Sequence, residues 1–268
     1  MIKLIACDMD GTLLDSQKRL PSELPEVIAQ LREKGVIFCV ASGRQYASLR
    51  RDFEAYADDL LFLCENGALV MQRDKRVLID PVDASFITRI VTATRALSGV
   101  YPVVCRADVA LIEKTASPEF IRNTKMYYPS VEVVDDLTAL GQLGDVCKVA
   151  FYDEGDAQTH ELPELKKHLE GPLAVILSGE HWVDVMKPGV NKGCAMRGIQ
   201  QKLGISPEEC MAFGDYLNDC ELLQAVGESY AMENAHPALK KLARYIAPGN
   251  DDNGVMRVVR ERLGLAEA

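Results

Sequence analysis

Short apolar runs of strand length alternate with amphipathic stretches from the first residues of the chain. Ile2-Lys3-Leu4-Ile5-Ala6-Cys7 is followed by a stretch from Glu23 to Lys34 in which Leu24, Val27, Ile28 and Leu31 recur at helical spacing, with Gly35 as its stop. Val36-Ile37-Phe38-Cys39-Val40 then reads as a buried strand. A helix of about 45–56 leads to Leu60-Leu61-Phe62-Leu63-Cys64, another buried strand. Near-continuously apolar strands separated by helices predict an α/β doubly wound, Rossmann-like core with a parallel sheet covered on both faces.

From roughly Leu69 to Met186 the texture changes. A hairpin is expected at Val70 to Leu78 around the polar turn Arg73-Asp74-Lys75. Alternating strands such as Val131-Glu132-Val133-Val134 and Lys148-Val149-Ala150-Phe151 are interleaved with helices near 84–97, 117–127 and 160–169. This predicts a separate α+β module inserted into the first domain. The doubly wound pattern then resumes. Asn191 caps a helix of about 191–203, Cys210-Met211-Ala212-Phe213 is a strand ending at Gly214-Asp215, and Asn218 opens the next helix. The expected division is a core of 1–82 and 187–268 around an inserted α+β domain of 83–186.

With 268 residues, the chain has room for a core domain plus a smaller one. A net charge of −10 and the lack of any long Lys/Arg block argue against a nucleic-acid surface. An anionic substrate would therefore have to be attracted by a local site and a bound metal, against the global field. Eight cysteines stand at 7, 39, 64, 105, 147, 194, 210 and 220, none in C-x-x-C, and most lie inside apolar runs. Free buried thiols of a reducing compartment are the expectation. The acids at 8 and 10 interrupt any signal-peptide layout, and no apolar run is long enough to span a bilayer. A cytoplasmic protein without membrane partners is expected, and oligomeric state stays open.

The candidate chemistry sits at the ends of the predicted strands. The first empties into Asp8-Met9-Asp10-Gly11-Thr12-Leu13-Leu14-Asp15, which puts two carboxylates at the sheet edge where open α/β folds build active sites. Two acids this close can share a hard cation, or divide into nucleophile and proton carrier. A calcium loop starting at Asp8 is excluded: it needs Gly at its sixth position and Glu at its twelfth, where Leu13 and Arg19 stand. Ser42 ends the second strand, Lys192 opens a helix, and Asp215, Asn218 and Asp219 follow a late strand. Each taken alone has an ordinary reading, Asn191 as a helix cap, Lys192 as a solvated lysine, Asp219 as a helix-start acid. Taken together, at strand ends and helix starts, they suit phosphoryl transfer, with carboxylates for magnesium, a hydroxyl and an ammonium for phosphate oxygens, and an acid to attack.

As an ordered set, D-M-D-G-T-L-L, A-S-G-R, N-K-G and G-D-Y-L-N-D resemble the haloacid-dehalogenase-like (HAD) hydrolase superfamily. The insert between the serine and lysine motifs is similar to that of the Cof-type phosphatases. The resemblance runs from Asp8 to Asn253-Gly254-Val255, with Ala41 where many relatives carry Thr. It implies that Asp8 attacks phosphorus to form an aspartyl-phosphate, kept ionised by Mg²⁺ and Lys192, and that Asp10 protonates the leaving group and then activates water. Asp8, Asp215 and the main-chain carbonyl of Asp10 would hold Mg²⁺. Ser42, Gly43, Lys192, Asn218 and the backbone at Met9 would hold phosphate oxygens, and Asp219 would position Lys192 or the metal's waters.

In that family the insert acts as a cap over the site and meets the rest of the substrate. Tyr127, Tyr128, Arg106, His181 and Trp182 are polar-tipped candidates there, although for each of them packing within the cap is the stronger reading. Arg44 either lines the site or pairs with a nearby acid. The expected activity is Mg²⁺-dependent hydrolysis of a small phosphorylated metabolite, a sugar phosphate or similar. A phosphomutase or phosphotransferase using the same intermediate is the alternative within enzymes. A non-catalytic metabolite-binding protein is the alternative outside them, against which the intact Asp8, Asp10, Lys192 and Asp215 count.

Overall fold

The computed structural model describes residues 1–140 and 143–266. The strand Leu4–Asp8, buried along its whole length, lies inside an eight-stranded sheet. Across that sheet the order is Tyr245–Ala247, Glu228–Met232, Cys210–Gly214, Leu4–Asp8, Ile37–Ala41, Leu60–Cys64, Leu69–Gln72 and Lys75–Ile79. The first six run parallel. From Leu4–Asp8 the chain first builds outward on one side, and it returns much later to build the other. The order therefore reverses between Leu4–Asp8 and Cys210–Gly214, the kind of point where open α/β sheets bind ligands. Cys7 pairs with Phe213 across this reversal, so Asp8 and Asp215 leave neighbouring strands at one edge.

The helix Leu24–Glu33 buries Leu24, Val27, Ile28 and Leu31, the four positions that the apolar spacing singled out. The helix expected over about 45–56 is shorter, Tyr46–Asp52, and a single turn at Ala57–Asp59 precedes the next strand. The hairpin extends the first sheet. Leu69–Gln72 runs antiparallel to Leu60–Cys64, so the change of texture at Leu69 is not where a new module starts. Arg73 and Asp74 both adopt left-handed backbone, φ 49° and 56°, which makes the tight reversal that strand twist favours. Val77 and Leu78 pack against the core cluster that includes Ala195, Met196 and Ile199. An antiparallel edge strand alternates apolar and polar residues whichever sheet it joins, so the pattern alone could not assign it.

The chain divides into two compact units, one of residues 1–43, 53–78 and 191–268, the other of 44–52 and 79–190. The second contains six strands in the order Ala174–Gly179, Trp182–Met186, Val146–Asp153, Val100–Arg106, Ala110–Glu113 and Val131–Val134. Alternate residues of these strands serve two faces. Val104, Val149, Phe151, Val183 and Val185 pack with Ile87, Ile90, Leu165 and Leu169 from two helices. Val103, Cys105, Ala150 and Tyr152 pack with Phe120 and Tyr128 at the helix Pro118–Tyr127. All eight cysteines are free thiols and most are buried. Among the described residues no helix is long and apolar enough to cross a membrane.

One buried acid gives this second unit a pH dependence. Glu161 opens the helix Glu161–Leu169 and is fully buried. Burial, reinforced by the charges of Asp153 and Asp184, pushes its carboxyl from 4.5 up to about 9. The folded chain therefore keeps a proton that the unfolded chain releases near 4.5, and stability falls as pH rises between about 4.5 and 9. Glu161→Gln is expected to flatten that fall and to raise the urea midpoint at pH 8.5 more than at pH 5.5. Equal midpoint shifts at the two pH values would count against a buried protonated carboxyl.

Candidate active site

Asp8 is the last residue of its strand, and the loop after it folds back upon it. The amide of Leu13 donates to the Asp8 carbonyl at 3.2 Å, and that of Leu14 to the Met9 carbonyl at 2.9 Å. Asp10 and Leu14 then meet as an isolated bridge. Gly11 turns this loop with φ +80°, and a Cβ placed there would lie 2.3 Å from the Asp215 carboxylate. Both the turn and the space require glycine.

Lys192 reaches the site because its helix starts against another. Asn191 caps the helix Lys192–Leu203, its side-chain oxygen accepting from the Cys194 amide at 2.8 Å. A Cβ on Gly193 would lie 2.1 Å from the Glu221 carbonyl oxygen, so only glycine allows the close approach of Lys192–Leu203 to Cys220–Gln224. The Lys192 side chain is fully buried and donates to Asp8 Oδ1 at 2.5 Å and to Asp219 Oδ1 at 2.6 Å. Asp219 Oδ2 accepts from the amides of Asp215 and Tyr216 at 3.1 and 3.3 Å. Its carboxylate thus aligns the lysine with one oxygen and shapes the Asp215 turn with the other.

Three carboxylates crowd this space: Asp8, Asp215 and Asp219 each bring an oxygen within 4.8 Å of the others'. Burial pushes the Asp8 carboxyl up to about 7, with repulsion from Asp219 and Asp215 adding to it and Lys192 pulling against it. Burial and then Asp219 likewise raise Asp215 to about 6. For Lys192, burial favours losing the charge, but Asp8 and Asp219 outweigh it and hold the ammonium above its ordinary range. The lysine alone therefore does not keep Asp8 in the ordinary carboxylate range. A hard cation fits the all-oxygen donor set and would supply the missing positive charge. With both Asp219 oxygens already engaged, Asp8 and Asp215 are the carboxylates suited to hold it.

Each remaining candidate has a definite place within its own unit. Asp8 pairs with Ala41 in the sheet, so Ser42 follows at the neighbouring strand end, buried, with its amide donating to the Leu63 carbonyl at 2.8 Å. Gly43 follows it, its Cα facing the Asn66 side chain. Met9 is fully buried, and Asn218 is exposed on the turn Leu217–Asp219. The Asp10 side chain stays outside the acidic cluster, half exposed and paired with Lys18 at 2.8 Å. Arg44 pairs with Asp52 at 3.1 Å, and both residues belong to the second unit. Within that unit Trp182 meets Tyr127 and Tyr152 edge-on at 5.8 and 5.1 Å, and Tyr128 at 6.2 Å. His181 Nδ1 lies 2.7 Å from the Gly155 carbonyl oxygen, and Arg106 lies 3.7 Å from Asp108.

Sequence reasoning missed three residues. Lys18 had no signal beyond being a cation eight positions after Asp10. Asn66, with φ 53°, donates its amide to the Ser42 carbonyl at 3.1 Å. Its place in Glu65-Asn66-Gly67, a left-handed-prone turn at a strand end, was the available clue. Asn234 donates to the Gly11 carbonyl at 2.7 Å and had no sequence signal at all.

Comparison with known proteins agrees with this geometry. The pattern of the haloacid dehalogenase-like hydrolases matches residues 5–259. An Escherichia coli (strain K12) protein, 5-amino-6-(5-phospho-D-ribitylamino)uracil phosphatase YbjI, is 33% identical over 98% of this chain and 96% of its own length. The HMP-PP phosphatase of Citrobacter koseri is 29% identical over 89% and 87%. A solved structure from Eubacterium rectale superimposes with a TM-score of 0.89 at 29% identity, covering 97% of this chain and 99% of that one. One from Streptococcus mutans does so with a TM-score of 0.84 at 26% identity, covering 98% and 100%.

Proposed function

The chain belongs to the haloacid dehalogenase-like hydrolases, and from that premise we propose that it is a divalent-metal-dependent phosphatase acting on a small phosphorylated metabolite through an aspartyl-phosphate. The observation that carries this reading is the buried Lys192 ammonium held between Asp8 and Asp219, beside Asp215. Such a cluster has little use as a packing device, since burying two acids and one base beside a third, half-buried acid costs more than an apolar core of the same volume. With a divalent cation added to offset the acids, it suits a site that must accept a doubly charged phosphate.

In the proposed reaction an Asp8 oxygen attacks phosphorus in line with the ester oxygen, and the phosphorus–ester bond breaks as the aspartyl-phosphate forms. Asp10 gives its proton to the departing alkoxide. It then takes a proton from a water, whose oxygen attacks phosphorus and releases inorganic phosphate with Asp8 restored. Lys192, Ser42 with the adjoining Gly43 and Met9 backbone, and Asn218 hold the phosphate oxygens. A Mg²⁺ ion held by Asp8, Asp215 and the Asp10 carbonyl would supply charge neutralisation between the substrate and these acids.

The names of relatives guide the substrate. YbjI and a Bacillus subtilis protein, YcsE, 27% identical over 97% of this chain, are both 5-amino-6-(5-phospho-D-ribitylamino)uracil phosphatases. A ribityl phosphate ester of this kind heads the panel we would test, followed by sugar phosphates. Release of inorganic phosphate supports the reading, whereas an isomerised sugar phosphate without phosphate release points to a mutase. Excess EDTA is expected to abolish turnover, Mg²⁺ to restore it and Ca²⁺ to inhibit, because calcium prefers more ligands and a looser geometry around Asp8. Full activity in excess chelator, or in calcium, would remove the metal from the scheme.

A further inference from the structure

The loop that carries Asp10 is held from the far end of the chain. Asn234 Nδ2 donates to the Gly11 carbonyl at 2.7 Å, and Asn234 Oδ1 accepts from the main-chain amide of Asn250 at 3.1 Å. Asn250 Nδ2 in turn donates to the Leu14 carbonyl at 2.9 Å. Two side-chain amides thus grip both ends of the Gly11–Leu14 segment through one continuous chain of hydrogen bonds. Next to it, the Ser16 amide donates to Asp251 at 2.8 Å, and the His236 amide donates to the Asp215 carbonyl at 2.8 Å. The segment 234–236 therefore touches both the Asp10 loop and the Asp215 turn.

The loop has reason to need this grip. Gly11 has no side chain to pack, and its φ of +80° is one of many open to glycine. Within the loop the Thr12 and Leu13 amides make bonds of 3.3 and 3.2 Å, near the weak end of the range. Asparagine suits the task because each amide offers a donor and an acceptor in fixed geometry and adds no charge beside an acidic cluster. Both asparagines follow strands of the parallel sheet, Glu228–Met232 and Tyr245–Ala247, so their footing is rigid.

We infer that Asn234, relayed through Asn250, is a positioning residue for Asp10. It sets the Gly11 peptide and with it the direction of the Asp10 carboxyl. The inference rests on the proposed role of Asp10 as proton carrier, and the test separates the two. Asn234→Ala, Asn250→Ala and the double variant are compared with Asp10→Asn on an alkyl phosphate and on p-nitrophenyl phosphate.

Each single asparagine variant is expected to lower kcat on the alkyl ester by about 10–100-fold through misplacement of the acid. The loss on the aryl ester, whose leaving group needs no proton, is expected to stay within about threefold, with KM unchanged. The double variant should be worse than either single one, since the two side chains hold the Gly11 and Leu14 carbonyls separately and Asn250→Ala keeps the main-chain amide that Asn234 accepts from. Hydrogen exchange, measured on the metal-free proteins, should quicken over residues 9–16 in each variant and stay unchanged in the strand Ile37–Ala41. Equal losses on the two esters while Asp10→Asn remains selective would overturn the inference and leave the proton-carrier reading standing. Unchanged exchange over residues 9–16 would overturn the inference as well. If Asp10→Asn itself proves unselective, Asp10 is not the proton carrier and the positioning role falls with it.

Discussion

Asp8→Asn is expected to abolish steady-state phosphate release, with a loss on the order of 10⁴–10⁶ as for other covalent catalysts stripped of their nucleophile. The amide has nearly the shape of the carboxylate, and the Lys192 ammonium can still donate to its oxygen, so the site should keep its geometry. What disappears is the negatively charged oxygen that attacks phosphorus. The variant also removes one of three crowded acids, so the fold should survive, which circular dichroism would check. Turnover is measured by phosphate release from fresh protein, with mass spectrometry to exclude deamidation back to Asp. Residual hydrolysis within about a hundredfold of wild type would take the nucleophile's role from Asp8.

Lys192→Met should damage both catalysis and stability. Methionine fills a similar unbranched volume but leaves Asp8 and Asp219 buried without their shared counter-charge. Removing one partner of a buried ion pair typically costs about 3–5 kcal/mol, because an uncompensated charge remains in a poor solvent. Asp219 also loses its reason to hold the Asp215 turn in place. We expect the urea midpoint to fall sharply. In the fraction that stays folded, kcat should drop by about 10²–10³ for every substrate alike, as when a preorganised donor to the transition-state charge is removed. Lys192→Arg should not rescue it, since the side chain is already fully buried and the guanidinium is larger. A substrate-dependent loss, or an unchanged urea midpoint, would contradict a shared role at the phosphate.

The apolar spacing carried the core legibly. Leu24, Val27, Ile28 and Leu31 face inward where their period put them, and the strands Leu4–Asp8, Ile37–Ala41 and Leu60–Cys64 stand where continuous apolar runs predicted them. The acids at 8 and 215 were legible as strand-end residues for the same reason. The hairpin Leu69–Ile79 was legible as a hairpin within the segment expected for the core, and only the fold pairs its first strand with Leu60–Cys64. Arg44 had two readable roles, and the fold gives it Asp52 as an ion-pair partner.

By itself, then, the sequence determined which segments become strands and helices and which polar residues stand at their ends, because periodicity and turn chemistry act over a few residues. Only the tertiary structure decided which ends become neighbours. Lys192 meets Asp8 across 184 positions, and Asn234 meets Gly11 across 223. The sheet order reverses beside Leu4–Asp8 and brings a late strand against the first. Nothing local encodes such contacts. They arise when elements already formed bury their apolar faces together, and the polar groups at the shared edge take the partners that this packing leaves within reach.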